Sequence, residues 1–412
     1  MTSSTEDHKL AAPVYDPRDQ AIIDDPLPAL RALQENDPVH WSDKLRGWVI
    51  TRYDDVRRIQ LNEHISADRL TPYYESLPSE QQNRIRELIR YLNTWVAFKD
   101  PPEHTRLRRL MNKVFTPGAV RHLHGSVERA VGVLLDGLAG REQFDFIEDF
   151  AYPLPATVIM DMLGLPHSDM EPLKDWSNKM QLFIGSATAS PNKHALAQEG
   201  AVEMAAYFRE VILEREHTPG EDMISKLLAI RDADATLSED EVIGTSILFL
   251  FAGHETTTNL LGNGIRALLQ HPEQLERLRR EPAMIKSAVE EILRFDGPTG
   301  ALVRIVKHDH ELRGRQLSQG DRVFVMVNAA NHDPRKFEDP GKFDISRDPN
   351  PHLTFNYGPH FCLGAPLARM EGEVAIGEVI RRFPDLRLTA DHYEYMDTLV
   401  MRGVRSMPVA TG

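Results

Sequence analysis

Apolar residues follow two periods along the chain, and they divide it into strand-like ends and a helical middle. Alternating runs that predict strands lie at 38–41, 47–51, 301–306 and 322–326. From about Asp54 to Pro298 the spacing is mostly helical; a turn follows near Gly314, and a last helix begins near Pro366. Strands at both ends should pair across the helical middle. We therefore expect one domain over 1–412 of the α+β class, mainly α, with 1–12 as a loose tail.

One predicted helix is unusually long and apolar. Ser238 and Glu241 form a capping box at its start, and Pro272 stops it after Gln270. This length is roughly three times that of an average helix. The stretch 247–253 is apolar on all sides, so the helix should be enclosed by the rest of the fold.

Composition excludes several classes of protein. The 412 residues are 41% hydrophobic and 27% charged, which is typical of globular proteins. The net charge of −14 argues against nucleic-acid binding and against attraction to anionic membranes. The polar start lacks a signal peptide's apolar core, and no apolar run approaches the ~18–20 residues that cross a membrane. A single cysteine allows no intramolecular disulfide, so we expect a soluble, cytoplasmic protein.

That cysteine, Cys362, lies in the segment 355–364, Phe-Asn-Tyr-Gly-Pro-His-Phe-Cys-Leu-Gly. A thiolate that ligates a metal must be stabilised as an anion and shielded from water. A glycine-bearing loop brings backbone amides to the sulfur, and the helix beginning at Ala365 directs its positive end to the same place. Phe355 and Phe361 can cover the sulfur. The alternative is a buried core cysteine, the usual state of a free cysteine.

The pattern Phe-x-x-Gly-x-His-x-Cys-x-Gly resembles the haem-binding signature of the cytochrome P450 family. The resemblance implies that Cys362 is the proximal iron ligand, and that Phe355, His360 and Gly364 belong to the haem site. Asn356 departs from the family, which usually has glycine or a small residue there. Asparagine tolerates a positive φ, so the loop can still turn. The resemblance further implies the P450 fold and haem b as cofactor.

Glu291 and Arg294 lie one helical turn apart and can form an ion pair. By itself such a pair is most often on the surface, where it contributes about 0–1 kcal/mol. It also resembles the Glu-x-x-Arg motif of the family, which implies a buried structural pair. Arg347, in a downstream segment similar to the family's meander, is then the third member.

The middle of the long helix resembles the family's oxygen-binding segment. Ala252 and Gly253 would leave room for O₂ and water against the cofactor, Glu255 would import protons, and Thr256 would hold the hydrogen bonds that donate them. The alternative for Thr256 is a hydrogen bond to a carbonyl one turn back. We expect His254 to be a bystander on the far side of the helix.

Haem propionates are anions and need cations or hydrogen-bond donors. The segment 100–109 resembles the start of the family's propionate-binding helix, with His104 and Arg108 on one face. Arg304 and His360 are the other matching positions. Each of these residues alone would ordinarily be a solvated surface group.

The resemblance implies a monooxygenase that hydroxylates a small hydrophobic substrate with one atom of O₂. No flavin or iron–sulfur segment is evident, so electrons should come from a separate ferredoxin-type carrier and its reductase. This carrier is expected to dock on a basic patch of Arg106, Arg109 and Lys113. Two alternatives remain, a P450-type peroxygenase and a non-catalytic haem sensor. The residues expected to line the substrate pocket are Leu248, Ala252, Gly300, Leu302, Val400 and Met401.

Overall fold

The computed structural model describes residues 15–186, 190–234 and 237–411, and the expected tail at 1–12 lies outside them. The α-helices of these ranges are α1 (Gln20–Asp24), α2 (Leu27–Asn36), α3 (Tyr53–Ile59), α4 (Leu70–Glu75), α5 (Ser79–Arg84), α6 (Arg86–Leu92), α7 (Glu103–Val114), α8 (Pro117–His122), α9 (His124–Leu138), α10 (Pro153–Leu163), α11 (Met170–Ile184), α12 (Lys193–His217), α13 (Met223–Asp234), α14 (Glu239–Gln270), α15 (Pro272–Arg280), α16 (Ile285–Phe295), α17 (Val327–Asn331) and α18 (Ala365–Arg382). Short 3₁₀ turns lie at Val96–Phe98, His167–Asp169, Pro282–Met284 and Gly358–His360, with a π-helical turn at Ile147–Ala151.

The strands are short and form small sheets beside the helices. They are β1 (Val39–Ser42), β2 (Gly47–Ile50), β3 (Ile65–Ser66), β4 (Gln143–Asp145), β5 (Ala301–Val306), β6 (His310–Leu312), β7 (Arg315–Leu317), β8 (Arg322–Met326), β9 (Arg387–Leu388) and β10 (Pro408–Ala410). The mainly α, α+β class expected from the sequence is confirmed.

The largest sheet joins the two ends of the chain. Its strand order is β1-β2-β8-β5-β3, and β2 runs parallel to β8 with Gly47 opposite Arg322. Trp48 supports this pairing because its indole Nε1 donates to Asp321 at 2.9 Å. The expected pairing across the helical middle is therefore confirmed. The sequence did not predict the second sheet, β4-β10-β9, whose strands are only two or three residues long.

The long helix α14 has the expected bounds and cap. The Ser238 side chain accepts from the backbone N–H of Glu241, and the Glu241 carboxylate accepts from the backbone N–H of Ser238. Helices α6, α10, α12, α16 and α18 surround it. Between residues 242 and 268 every position is buried except Ala252, Gly253 and Thr256. These three positions fall on one side of the helix, so α14 is enclosed everywhere but at a single face.

Within the described ranges, no helix combines the length and the apolar character that crossing a bilayer requires.

Candidate active site

The loop before α18 turns at two positions of positive φ. Asn356 has φ +67° and Gly358 has φ +72°, so Asn356 adopts the left-handed conformation that its side chain tolerates. The backbone N–H of Cys362 donates to the carbonyl of Phe355 at 2.8 Å, which closes the loop. Gly364 then caps α18. The loop therefore delivers the cysteine to the N-terminus of this helix.

Burial raises the pKa of the Cys362 thiol, and the surrounding groups oppose that effect. The backbone N–H groups of Gly364 and Ala365 and the guanidinium groups of Arg108 and Arg369 all favour the thiolate. The sulfur thus has donors and cations on the side of α18. This is the electrostatic environment that the sequence predicted.

Two phenylalanines flank Cys362, and they differ in exposure. Phe355 is buried, and the Arg369 guanidinium lies 4.6 Å from the centre of its ring. Phe361 is 42% exposed, with its ring centre 6.3 Å from that of Phe355. The sequence predicted that both rings cover the sulfur. Phe361 instead presents much of its ring to solvent.

Four basic residues from three elements meet near this loop. The rings of His104 on α7 and His360 have centres 4.3 Å apart. Burial, with Arg304, His104 and Arg108 adding to it, lowers the pKa of His360 to about 3. Burial also lowers the pKa of Arg304 to about 10, and the one acid that opposes this is Asp100. The structure therefore brings the four expected propionate-binding residues together.

This cluster fits an anionic cofactor. Nε2 of His104 is buried and has no hydrogen-bond partner among the described residues. The Asp100 carboxylate accepts from Ser66 Oγ at 2.6 Å and from the backbone N–H of Ala67 at 2.9 Å. A buried basic cluster of this kind is costly unless an anion binds to it. The carboxylates of haem have the chemistry that the cluster requires.

The accessible face of α14 carries the expected oxygen-binding residues. The Thr256 hydroxyl donates to the carbonyl of Ala252 at 3.0 Å, which is the bond proposed as its alternative role. Glu255 is buried, and burial raises the pKa of its carboxyl to about 7. A Cβ at Gly253 would lie 2.8 Å from Ile159 on α10. Gly253 therefore permits the close packing of α10, and its contact with the cofactor stays a prediction.

His254 lies on the far side of α14 from Ala252 and Thr256, as the sequence predicted. Its ring is buried, and Nδ1 lies 2.7 Å from the carbonyl of Leu250, so Nδ1 carries the proton and donates. Nε2 then has a free lone pair, lies 3.7 Å from Glu255 Oε1 and has no other partner among the described residues. The ring also packs edge-on against Tyr152 with centres 5.7 Å apart. His254 thus lies beside the predicted catalytic acid.

Glu291 and Arg294 form a buried pair and not a surface one. Both side chains are inaccessible, and Arg294 Nη2 lies 2.8 Å from Glu291 Oε1. Arg347 Nε lies 3.2 Å from Glu291 Oε2, so Arg347 completes the predicted triad. Arg294 also donates to the carbonyls of Asn331 and Pro340. The triad therefore holds α16 to the irregular segment before the cysteine loop.

The expected pocket residues lie on two sides of the site. Leu248 and Ala252 belong to α14, and Leu302 lies on β5. The backbone N–H of Gly300 donates to the carbonyl of Val400 at 2.9 Å, which joins two of the expected segments. Met401 and Gly300 line a small cavity of about 60 Å³. This cavity is far smaller than the several hundred Å³ of an ordinary ligand site.

Two ionisable residues, the half-buried Arg69 and the buried Glu371, lie outside every motif that the sequence offered. Arg69 precedes α4, and burial followed by the charge of Arg304 lowers its pKa to about 10. Glu371 on α18 is buried against Thr257 of α14, and burial raises its pKa to about 8. No sequence pattern indicated either residue. An acid or base at an otherwise apolar helix position was the only available signal, and it is weak.

A lone cysteine at a helix N-terminus, beside a cluster of basic residues, fits a haem-thiolate site.

The Cytochrome P450 family model matches residues 49–392. The chain is 38% identical to cytochrome P450 CYP107DY1 of Priestia megaterium over 369 residues, covering 88% of this chain and 89% of that protein. It is 34% identical to 6-deoxyerythronolide B hydroxylase of Saccharopolyspora erythraea over 375 residues, covering 88% and 90%.

Solved structures give the same result. P450BioI in complex with hexadec-9Z-enoic acid ligated acyl carrier protein has a TM-score of 0.89 and 36% identity, covering 95% of this chain and all of that one. The chain therefore belongs to the cytochrome P450 family. It is a haem-binding monooxygenase, as the resemblance in the sequence implied.

Proposed function

We propose that this monooxygenase inserts one oxygen atom from O₂ into a small hydrophobic substrate, with electrons from a separate ferredoxin-type carrier and its reductase. The observation that carries the proposal is the single accessible face of α14. Ala252 and Thr256 are open there in the middle of a buried helix, with the acid Glu255 between them. Such a face combines room for a small ligand with a proton source shielded from water.

Two groups of residues are proposed to contact haem, namely the cysteine loop and the basic cluster. Cys362, the single cysteine of the chain, would ligate the haem iron, with Gly364 at the start of α18 and Phe355 buried in the same loop. His104, Arg108, Arg304 and His360 would hold the propionates. Once bound, haem supplies the O₂ chemistry, and electron donation from the thiolate favours cleavage of the O–O bond.

Protons reach the site through Glu255. Its raised pKa keeps a large fraction of the carboxyl protonated near neutral pH, so it can both hold a proton and release one. Thr256 Oγ1 is anchored to the carbonyl of Ala252, which leaves its oxygen as an acceptor. The acid–alcohol pair favours a monooxygenase over the alternative of a peroxygenase, which takes oxygen from peroxide and needs no such proton supply. It equally argues against a sensor without turnover.

The substrate contacts are apolar side chains from opposite sides of the site. Leu248 and Ala252 on α14 are proposed to contact the substrate from one side, and Leu302 from the other. Val400, Met401 and the backbone of Gly300 complete the proposed lining. Apolar linings of this kind bind hydrophobic molecules, which is why a small hydrophobic substrate is proposed.

The first test concerns the iron ligand. The ferrous–CO complex of the native protein should have the red-shifted Soret band of thiolate ligation, and Cys362→Ser should lose it because an alcohol cannot replace the thiolate donor. Circular dichroism of the variant serves as the folding control. A folded Cys362→Ser protein that keeps the red-shifted band would exclude Cys362 as the ligand.

A further inference from the structure

Arg69 is a half-buried cation without an acidic partner among the described residues. It lies just before α4, where its guanidinium donates to the carbonyl of Ile184 at 2.6 Å and packs 5.2 Å from the ring centre of Phe98. No carboxylate of the described ranges forms an ion pair with it. An arginine remains charged at any accessible pH, so its burial is unfavourable unless an anion comes near.

The charge that acts on Arg69 is itself positive, and it makes the burial of Arg69 less favourable. Arg304 repels Arg69, and burial combined with this repulsion lowers the pKa of Arg69. The Arg304 guanidinium itself donates to its neighbouring carbonyl, Val303, at 2.9 Å. Asp100 is the acid whose charge acts on Arg304, and it already accepts two hydrogen bonds. Arg69 therefore has hydrogen bonds to Ile184 and to Ser186 Oγ, but no carboxylate among the described residues balances its charge.

Arg69 is also separate from the basic residues of the haem cluster. His360 feels Arg304, His104 and Arg108, but Arg69 is not among the charges acting on it. Arg69 in turn feels only Arg304. Arg304 is thus the one member of the basic cluster whose charge acts on Arg69. An anion bound at Arg69 need not be a haem propionate.

The segment that Arg69 contacts is hydrogen-bonded to one that is proposed to line the substrate pocket. Its partner Ile184 ends α11, and the next carbonyl, Gly185, accepts from Leu399 N–H at 3.2 Å and from Thr398 Oγ1 at 2.9 Å. Leu399 directly precedes Val400, whose carbonyl binds Gly300. The guanidinium therefore lies where the 184–186 and 398–400 segments meet β5.

We propose that Arg69 binds a carboxylate group of the substrate, so that the enzyme acts on hydrophobic carboxylic acids. The inference rests on the proposed function and narrows its substrate class. A planar guanidinium binds a carboxylate through two parallel hydrogen bonds, and apolar segments around it hold the hydrocarbon part.

The experiment compares hydrophobic acids with their methyl esters, which share the skeleton but lack the charge. Pairs with linear and polycyclic skeletons are titrated into the ferric holoenzyme, and the dissociation constant is read from the Soret shift. The native enzyme should bind at least one acid about tenfold more tightly than its ester, the size expected for a charge-assisted hydrogen bond. Arg69→Gln should abolish that preference and leave ester binding unchanged. Its amide can still donate to Ile184, which preserves the local fold.

Arg84→Gln, at an exposed position on α5, is the matched control and should keep the preference for acids. If no acid binds more tightly than its ester in the native enzyme, the proposal is overturned. It is also overturned if Arg69→Gln keeps the acid preference, and faster loss of haem in that variant would then assign Arg69 to a propionate. The wider proposal of a hydrophobic substrate fails only if the esters also give no Soret shift.

Discussion

At the scale of single residues, the pairing of His254 with Glu255 fixes which group holds the proton. Burial lowers the pKa of His254 to about 4 and raises that of Glu255 to about 7, so near neutral pH the imidazole is neutral and much of the carboxyl is protonated. Because Nδ1 donates to Leu250, Nε2 can only accept. A small rotation of the Glu255 carboxyl from its present 3.7 Å would let its O–H donate to Nε2.

The charged groups around this pair come from neighbouring elements. Lys174 on α11 lies 4.1 Å from the ring centre of Tyr152 and 2.7 Å from Glu148. Its positive charge lowers the pKa of both His254 and Glu255, but burial is the larger effect on each. The protonated carboxyl is therefore stabilised mainly by its buried position, and a hydrogen bond to Nε2 after such a rotation would add to this stabilisation.

His254→Phe should lower the pKa of Glu255 because it removes that acceptor and keeps the ring against Tyr152. A hydrogen bond to the neutral acid is worth about 1 pKa unit, so the decrease should be of that order. The titration can be followed by the infrared band of the protonated carboxyl in the resting enzyme. The pH above which peroxide replaces product should fall in parallel.

His254→Gln is the matched control, since its amide oxygen can accept near the position of Nε2 and should restore the native titration. Equal carboxyl titrations in His254→Phe and the native enzyme would show that His254 only fills space.

At the scale of elements, Glu291 ties α16 to the segment that leads to the cysteine loop. Besides Arg294 and Arg347, its carboxylate accepts from the backbone N–H of Asp344 and from Asn350 Nδ2, each at 3.0 Å. The segment between β8 and α18 has little regular structure after α17. These hydrogen bonds are therefore what fixes its path.

Glu291→Gln should destabilise the fold strongly, because it leaves Arg294 and Arg347 buried without a counter-charge. Breaking a buried ion pair in this way costs about 3–5 kcal/mol. Glu378→Gln is the matched control: Glu378 and Arg381 have the same i,i+3 spacing at the surface, where a pair contributes about 0–1 kcal/mol. Urea unfolding of the holoenzymes measures both changes. Similar losses in the two variants would contradict a structural role for the buried triad.

Elements and residues that sequence could predict are those with a local signal. The capping box of Ser238 fixed the start of α14, and the loop around Cys362 carried its own motif. Arg69 and β4 had no such signal, because what defines them lies far along the chain: Arg69 bonds Ile184, and β4 pairs with β10. Burial of Glu371 likewise depends on α14 packing against α18. Contacts of this kind arise from tertiary packing, which local periodicity does not encode.

At the scale of the whole molecule, buried acids reduce the stability of the fold at high pH, and buried histidines reduce it at low pH. Glu255 and Glu371 have folded pKa values of about 7 and 8, above their ordinary values, so the folded state binds more protons. Their contribution is present at low pH and is lost as pH rises through 7 to 8. His254 and His332 have pKa values lowered to about 4 by burial, so their contribution is lost as pH falls below 6.5. Stability should therefore be highest slightly below neutral pH.

Glu371→Gln should flatten the alkaline side of this profile, because glutamine has no proton to lose. The thermal midpoint of the holoenzyme, measured between pH 5.5 and 9, should fall less steeply in the variant than in the native protein above pH 7. Glu210→Gln, at an exposed position on α12, should leave the profile unchanged. If the thermal midpoint of Glu371→Gln falls above pH 7 as steeply as that of the native protein, other groups cause the loss of stability.

The basic patch predicted as the carrier's docking face is partly engaged within the protein. Arg106 forms an ion pair with Glu241 at the start of α14, so its charge is already balanced within the protein. The surface beside the cysteine loop offers apolar groups as well: Phe361 is 42% exposed, and Leu61 is 56% exposed against Gly358. Arg109 is exposed on α7, the helix that also carries Arg108. We therefore propose that Leu61 and Phe361 extend the docking face around Arg109.

Arg109→Glu should slow reduction of the haem by a ferredoxin-type carrier, most clearly at low ionic strength. The chain carries a net charge of −14, so an acidic carrier is repelled except where a local cation attracts it. Exposed charges are screened within about 8–10 Å at ordinary salt, so the defect should shrink as salt is added. Leu61→Ser should instead weaken docking at every salt concentration, because it removes apolar contact.

Stopped-flow reduction across a salt series measures the rates of both variants, with Arg84→Glu as the charge-matched control. Equal rates for Arg109→Glu and Arg84→Glu at low salt would place the carrier elsewhere.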